Sequence, residues 1–201
     1  MSVKSVLKTC GKGLGRLLRI LCTVIGVTMI GCRLEPPQGR TQSVHLSPAE
    51  TKLTTLGKAA AQEQAKHPEL SGLYLLSDPR EAFAARVKLA KQAEKTLDVQ
   101  YYIWHGDTTG SLLLETLYEA AERGVRVRML IDDHGTSGLD EAFSAMDAHP
   151  NIEVRLFNPF VFRPFKLFGF VTEFDRANRR MHNKSFTADN AATIVGGRNV
   201  G

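Results

Sequence analysis

The sequence predicts an α/β fold, a three-layer α/β/α sandwich around a mainly parallel central sheet. Short runs rich in β-branched and aromatic residues alternate with helical patterns of about 10–15 residues, the signature of βα units. Helix-start and helix-stop signals punctuate those runs at regular intervals. A composition of 43% hydrophobic and 23% charged residues over 201 positions is enough for one buried core.

The first 31 residues read as separate from that body. They carry Lys4, Lys8, Lys12, Arg16 and Arg19, no acidic residue, and the apolar run Ile20–Ile30, "ILCTVIGVTMI". An apolar stretch of about 11 residues is well short of the roughly 20 that span a bilayer, so it predicts an export signal. An uncleaved signal anchor and a buried helix are the alternatives. "MIGC", Met29 to Cys32, resembles the lipobox of bacterial lipoproteins, with Met29 where Leu is usual. That resemblance implies lipidation at Cys32.

Cys10, Cys22 and Cys32 are the three cysteines, so disulfides and cysteine-bound metal are not expected in the folded body. With residues 1–31 set aside, 21 basic residues face 21 acidic ones, and bulk charge gives no argument for a nucleic-acid partner.

Residues 32–46, with Pro36, Pro37 and Gly39, lack periodicity and suit a tether, which places the body at 47–201. "SPAE" from Ser47 and "DPRE" from Asp78 each place a capping residue, Pro at the first helical position and Glu two further on. Between them "GLYLL", Gly72–Leu76, reads as a short strand, and "LDVQYYIW", Leu97–Trp104, as a longer one. "SLLLETLYEAAERG" has apolar residues at helical spacing and ends on Gly124 as a cap. The strand "VRVRMLIDD", a helix around Leu139–Asp147 and the strand "NIEVRLF" follow.

Seven of the ten Phe fall between Phe157 and Phe174, with Arg163 and Lys166 among them. This reads either as a packed excursion covering a core or pocket, or as an apolar, cation-dotted surface that meets lipid.

The chemistry-bearing residues cluster in "RRMHNKSFTADNAATIVGGRN", Arg179–Asn199. In a strand, His182 and Lys184 would share a face. The turn-formers of "ADNAA" predict a hairpin that returns Gly196, Gly197 and Asn199 towards them, with glycines that let backbone amides approach phosphate oxygens. A neutral imidazole can attack phosphorus while Lys184 and Asn199 hold the nonbridging oxygens. A second acid–base group is lacking. No other histidine shows metal-ligand spacing.

The pattern His182-x-Lys184-x4-Asp189-x6-Gly196-Gly197-x-Asn199 resembles the HKD signature of the phospholipase D superfamily, with Gly197 where Ser is usual. From about Leu70 to Gly201 the chain resembles the first lobe of bacterial cardiolipin synthases. The resemblance implies a catalytic set of His182, Lys184 and Asp189, with Lys184, Gly197 and Asn199 on the substrate phosphate, and no metal or cofactor. Asp189, whose charge would repel phosphate, is expected to hold the loop or a neighbouring cation.

In that family two HKD motifs meet, one His forming a phosphohistidine and the other protonating the leaving alcohol. One motif is present here, so the chain is expected to be a first lobe, incomplete at its C-terminus, completed by a second lobe in cis or by a second chain. The resemblance implies membrane phospholipids as substrates, phosphatidylglycerol and a phosphatidyl donor. The export signal adds a bacterial membrane location, lipid-anchored towards the periplasm or cell exterior. A homodimeric single-HKD nuclease and an inactive lipoprotein are the alternatives. Asp132 and Asp133, after a strand, either support the site or cap a turn, and Arg179 and Arg180 read as a solvated dibasic pair, with attraction of a phospholipid headgroup as the alternative.

Overall fold

The computed structural model describes residues 44–161, 163, 166 and 174–201. Residues 1–31, expected to direct export, Cys32, most of the expected tether 32–46 and the middle of the Phe-rich run lie outside the described residues.

The helix starts form as their caps dictate. α1 (Pro48–Thr51) is closed by a capping box: the Ser47 side chain accepts from the Glu50 amide and Glu50 accepts from the Ser47 amide. α2 (Thr55–Lys66) is capped by Thr54. In α3 (Pro79–Gln92), Asp78 accepts from the amides of Arg80 and Glu81 at 2.8 and 3.1 Å.

β1 (Thr96–Ile103) comes next, then α4 (Thr108–Glu122), which begins three residues before the apolar pattern does. The Asp107 carboxylate is the reason, because it accepts from the Gly110 amide at 2.8 Å. α4 ends in a Schellman motif, with Gly124 at φ 90°, its amide on the Ala121 carbonyl and the Val125 amide on the Ala120 carbonyl.

β2 (Arg126–Gly135), α5 (Asp140–Asp147), β3 (Ile152–Phe157), the one-turn α6 (Phe174–Ala177), β4 (Lys184–Ala188) and β5 (Ala192–Val195) complete the order. The five-stranded sheet runs β3-β2-β1-β4-β5; β1, β2 and β3 are parallel neighbours, and the β4–β5 hairpin joins β1 antiparallel. Gly72–Leu76 is irregular instead of a strand, and Leu73 is 96% exposed. Its residues favour a strand, but no neighbouring backbone within the described residues pairs with it.

Helices α2–α5 pack on one face of the sheet. Leu97, Val99 and Tyr101 of β1, Val127, Met129 and Ile131 of β2 and Phe186 of β4 join Leu113, Leu117 and Phe143 in that core. Each of these strand residues alternates with a half-exposed one on the other face, where Asp98, Arg128 and Glu153 line up by register across three strands. Among the described residues, two layers of the sandwich are thus formed.

The hairpin turn carries the tightest constraint. Asp189 and Asn190 take φ of 51° and 52°, the left-handed pair of a type I′ turn that Asp and Asn tolerate. The fully buried Asp189 carboxylate accepts from the amides of Glu94, Lys95 and Thr96 at 2.9, 2.7 and 2.9 Å, and its own amide donates to the Thr96 carbonyl. Asp189→Ala would leave three amides without their acceptor, that of Thr96 buried and those of Glu94 and Lys95 part-buried, so a stability loss of about 2–3 kcal/mol is expected in urea unfolding, with Asp189→Asn in between.

Candidate active site

Antiparallel register builds the site. Asp189 pins Ala188 opposite Leu97, so Lys184 falls opposite Tyr101, at the C-terminal end of β1. β4 starts at Lys184, and His182 lies just before it. The two side chains differ in burial, with His182 exposed and Lys184 buried, yet both reach the ring of Tyr102. The His182 ring lies 4.9 Å from that ring, centroid to centroid, and the Lys184 ammonium 5.4 Å from its centroid.

The Lys184 Nζ donates to the His182 carbonyl at 3.0 Å and meets the Tyr102 π-face, both neutral partners. Among the described residues no carboxylate pairs with it. A buried ammonium without a counter-charge favours an incoming anion, because burial is costly until opposite charge arrives. The cross-strand partner of Lys184, Tyr101, is buried, with a hydroxyl that accepts from Arg86 at 2.6 Å; burial pushes that hydroxyl above its ordinary range, and the guanidinium opposes the push.

The hairpin return brings Gly196 back beside Lys184, its amide on the Lys184 carbonyl at 3.3 Å. The space a Cβ would occupy at Gly196 and at Gly197 is open, which leaves that backbone approachable. Asn199 is committed differently from expectation: its Oδ1 accepts from the Ile103 amide at 3.2 Å, so only its Nδ2 side remains for an anion. Asp189 sits at the opposite end of β4 from Lys184, about 17 Å away at strand rise, where it holds backbone amides in place of a cation.

Asp132 and Asp133 do more than cap a turn. Gly135 pairs with Ile103 where Ile131 pairs with Tyr101, so β2 spends four residues against two of β1. This bulge breaks the alternation and buries three successive residues, Ile131, Asp132 and Asp133. Asp133 accepts from the Phe160 amide at 2.7 Å and pairs with Arg163 and Lys166, each at 3.2 Å, anchoring the start of the Phe-rich run. That part of the run is packed, and Phe160 is 2% exposed.

Arg180 departs from its expected solvated role. Its guanidinium bonds Asp132 at 3.0 Å and the Asn158 carbonyl at 2.8 Å, and lies 4.9 Å over the Phe160 ring. Arg179 is exposed. The residue pattern alone missed Tyr102, although strand parity sets it apart from the core-facing Tyr101.

Arg180→Met would leave a buried carboxylate without its cation and is expected to cost about 3–5 kcal/mol in thermal unfolding. Arg179→Met, on the surface, should stay within about 0.5 kcal/mol of the parent.

Comparison with known proteins shows the family. The family described as cardiolipin synthase, PLD-like domain, matches residues 87–201. Cardiolipin synthase C of Escherichia coli (strain K12) is 58% identical over 136 residues, covering 68% of this chain and 29% of the relative. An uncharacterized protein of Helicobacter pylori (strain J99 / ATCC 700824) is 40% identical over 153 residues, 74% of this chain and 30% of that protein. The major cardiolipin synthase ClsA of Bacillus subtilis (strain 168) is 32% identical over 127 residues, 63% and 25% of the two lengths. The chain therefore spans less than a third of the length of these curated relatives. With its matched segment reaching from within α3 to the end of the hairpin site, the chain belongs to the phospholipase D-like domain family of cardiolipin synthases.

Proposed function

We propose that this chain supplies one of two half-sites for phosphatidyl transfer between membrane phospholipids. The observation that carries the reading is the buried Lys184 ammonium, which among the described residues is held by neutral groups, beside the exposed His182 imidazole. In this scheme a neutral His182 nitrogen bonds to the phosphorus of a phosphatidyl donor as the P–O bond to the donor's headgroup alcohol breaks. The alcohol leaves with a proton from an acid on the second half-site, in cis or on a second chain. The hydroxyl of phosphatidylglycerol then attacks the phosphohistidine, returns its proton to that group and frees His182.

Lys184, the Gly197 backbone and the Asn199 amide would meet the nonbridging oxygens, where negative charge grows in each transition state. Asp189 serves by holding the hairpin. No step needs a metal or cofactor. The names of the relatives, cardiolipin synthases C and ClsA, support a phospholipid substrate.

We further propose that residues 1–31 direct export and that Cys32 carries lipid, with 32–46 as the tether, so that the site faces membrane from the periplasm or cell exterior. Cys32→Ser should shift the protein from the membrane to the soluble fraction and abolish incorporation of labelled fatty acid. Retention with unchanged labelling would remove the anchor.

Transfer is tested with labelled phosphatidylglycerol and the protein in its native membrane. His182→Ala is expected to lower cardiolipin formation by about a thousand-fold and to abolish acid-labile phosphate on the protein. Lys184→Gln should cost about a hundred-fold, mainly in kcat. Loss of DNA cleavage with His182, steeply weakened by salt, would instead identify a nuclease. An unchanged product level in His182→Ala would point to a non-catalytic lipoprotein.

A further inference from the structure

We infer that Asp132 is a positioning residue for His182: it fixes the backbone that carries the nucleophile while Arg180 cancels its charge. The inference rests on the phosphatidyl-transfer reading for its kinetic part and on geometry alone for its structural part.

The Asp132 carboxylate is fully buried and accepts three hydrogen bonds. Oδ2 accepts from the Met181 amide at 2.7 Å, and Oδ1 accepts from Arg180 at 3.0 Å and from the His134 amide at 2.8 Å. Two of these donors belong to the residues immediately before His182. On its other side, the His182 carbonyl is held by Lys184. His182 is thus clamped through its backbone at both flanks, with Met181 buried beneath, while its imidazole stays exposed against Tyr102. Freedom of the loop is removed without using either ring nitrogen.

Charge explains why an acid can serve here. A bare carboxylate close to a phosphate site would repel the substrate. Paired with Arg180, which also grips the Asn158 carbonyl and stacks over Phe160, Asp132 contributes its acceptors at near-zero net charge. The β2 bulge is what turns this carboxylate inward from a strand position that alternation would leave half-exposed. An in-line attack needs the nitrogen held within a fraction of an ångström, and a misplacement of about 1 Å can cost on the order of a hundred-fold.

Asp132→Asn is the test, because an amide cannot accept from both flanking donors. In the full chain labelled at histidine, the His182 ring protons should carry a ring-current shift from Tyr102, 4.9 Å away. The variant should move them towards free-imidazole values, while His149, held by Glu122 at 2.8 Å and packed on Tyr118, keeps its own signals as proof of folding. In the transfer assay kcat should fall about a hundred-fold with KM within about two-fold.

Unmoved His182 signals with an unchanged kcat would overturn the inference, as would a raised KM at constant kcat. Should Asp132→Asn fail to fold, Arg180→Lys gives the same readings: it keeps a cation but loses the planar fork, and about a ten-fold fall in kcat with a partial His182 shift is expected. An unaltered Arg180→Lys enzyme would count against the assignment. Absence of phosphatidyl transfer in the parent protein would refute the proposed function, and the histidine spectra would still decide the positioning role.

Discussion

The site depends on one buried carboxylate that never approaches it. Asp189 gathers three consecutive amides at the entrance to β1 and thereby locks the β4–β5 hairpin against that strand in a single register. A slip of one residue would turn Lys184 from the inner face to the outer one and carry His182 away from Tyr102. The spacing of the motif is therefore a set of lengths. The four residues between Lys184 and Asp189 make one strand, and the six between Asp189 and Gly196 contain the turn residue Asn190 and the strand that comes back.

Two further buried carboxylates, Asp132 and Asp133, act at the other end of the sheet's inner strands. The β2 bulge presents Asp132 to the loop before His182 and Asp133 to the start of the Phe-rich run. Each is paired with cations and backbone donors, so burial is compensated within the network. Asn158, at φ 45°, ties the two regions together by donating to the carbonyls of Arg176 and Arg179 and accepting from Arg176. The backbone before the imidazole is thus held by polar partners, while the Lys184 ammonium has a carbonyl and an aromatic ring as its partners among the described residues.

The two faces of the sheet answer to different physics. One is apolar and covered by helices α2–α5; the other carries the Asp98, Arg128 and Glu153 row, half-exposed, with Arg128 bonded to Asp98. Such cross-strand pairs favour one register more than they add stability.

By itself the sequence determined the order of elements, because caps and periodicity are local: Ser47, Asp78 and Gly124 mark boundaries that neighbouring residues satisfy. It also determined the β4–β5 hairpin, whose turn-formers Asp189 and Asn190 are a local signal. Tertiary structure decided the rest. Gly72–Leu76 has the composition of a strand, but pairing needs a second backbone that the local chain cannot specify. Asp132 and Asp133 fitted site support and turn capping equally well, because a bulge is defined only by register against β1. Arg180 looked solvated, since its partners Asp132 and Asn158 are 48 and 22 residues away. Contacts between residues so distant in the chain leave no period or spacing to read, so they became visible only when the strands were laid side by side.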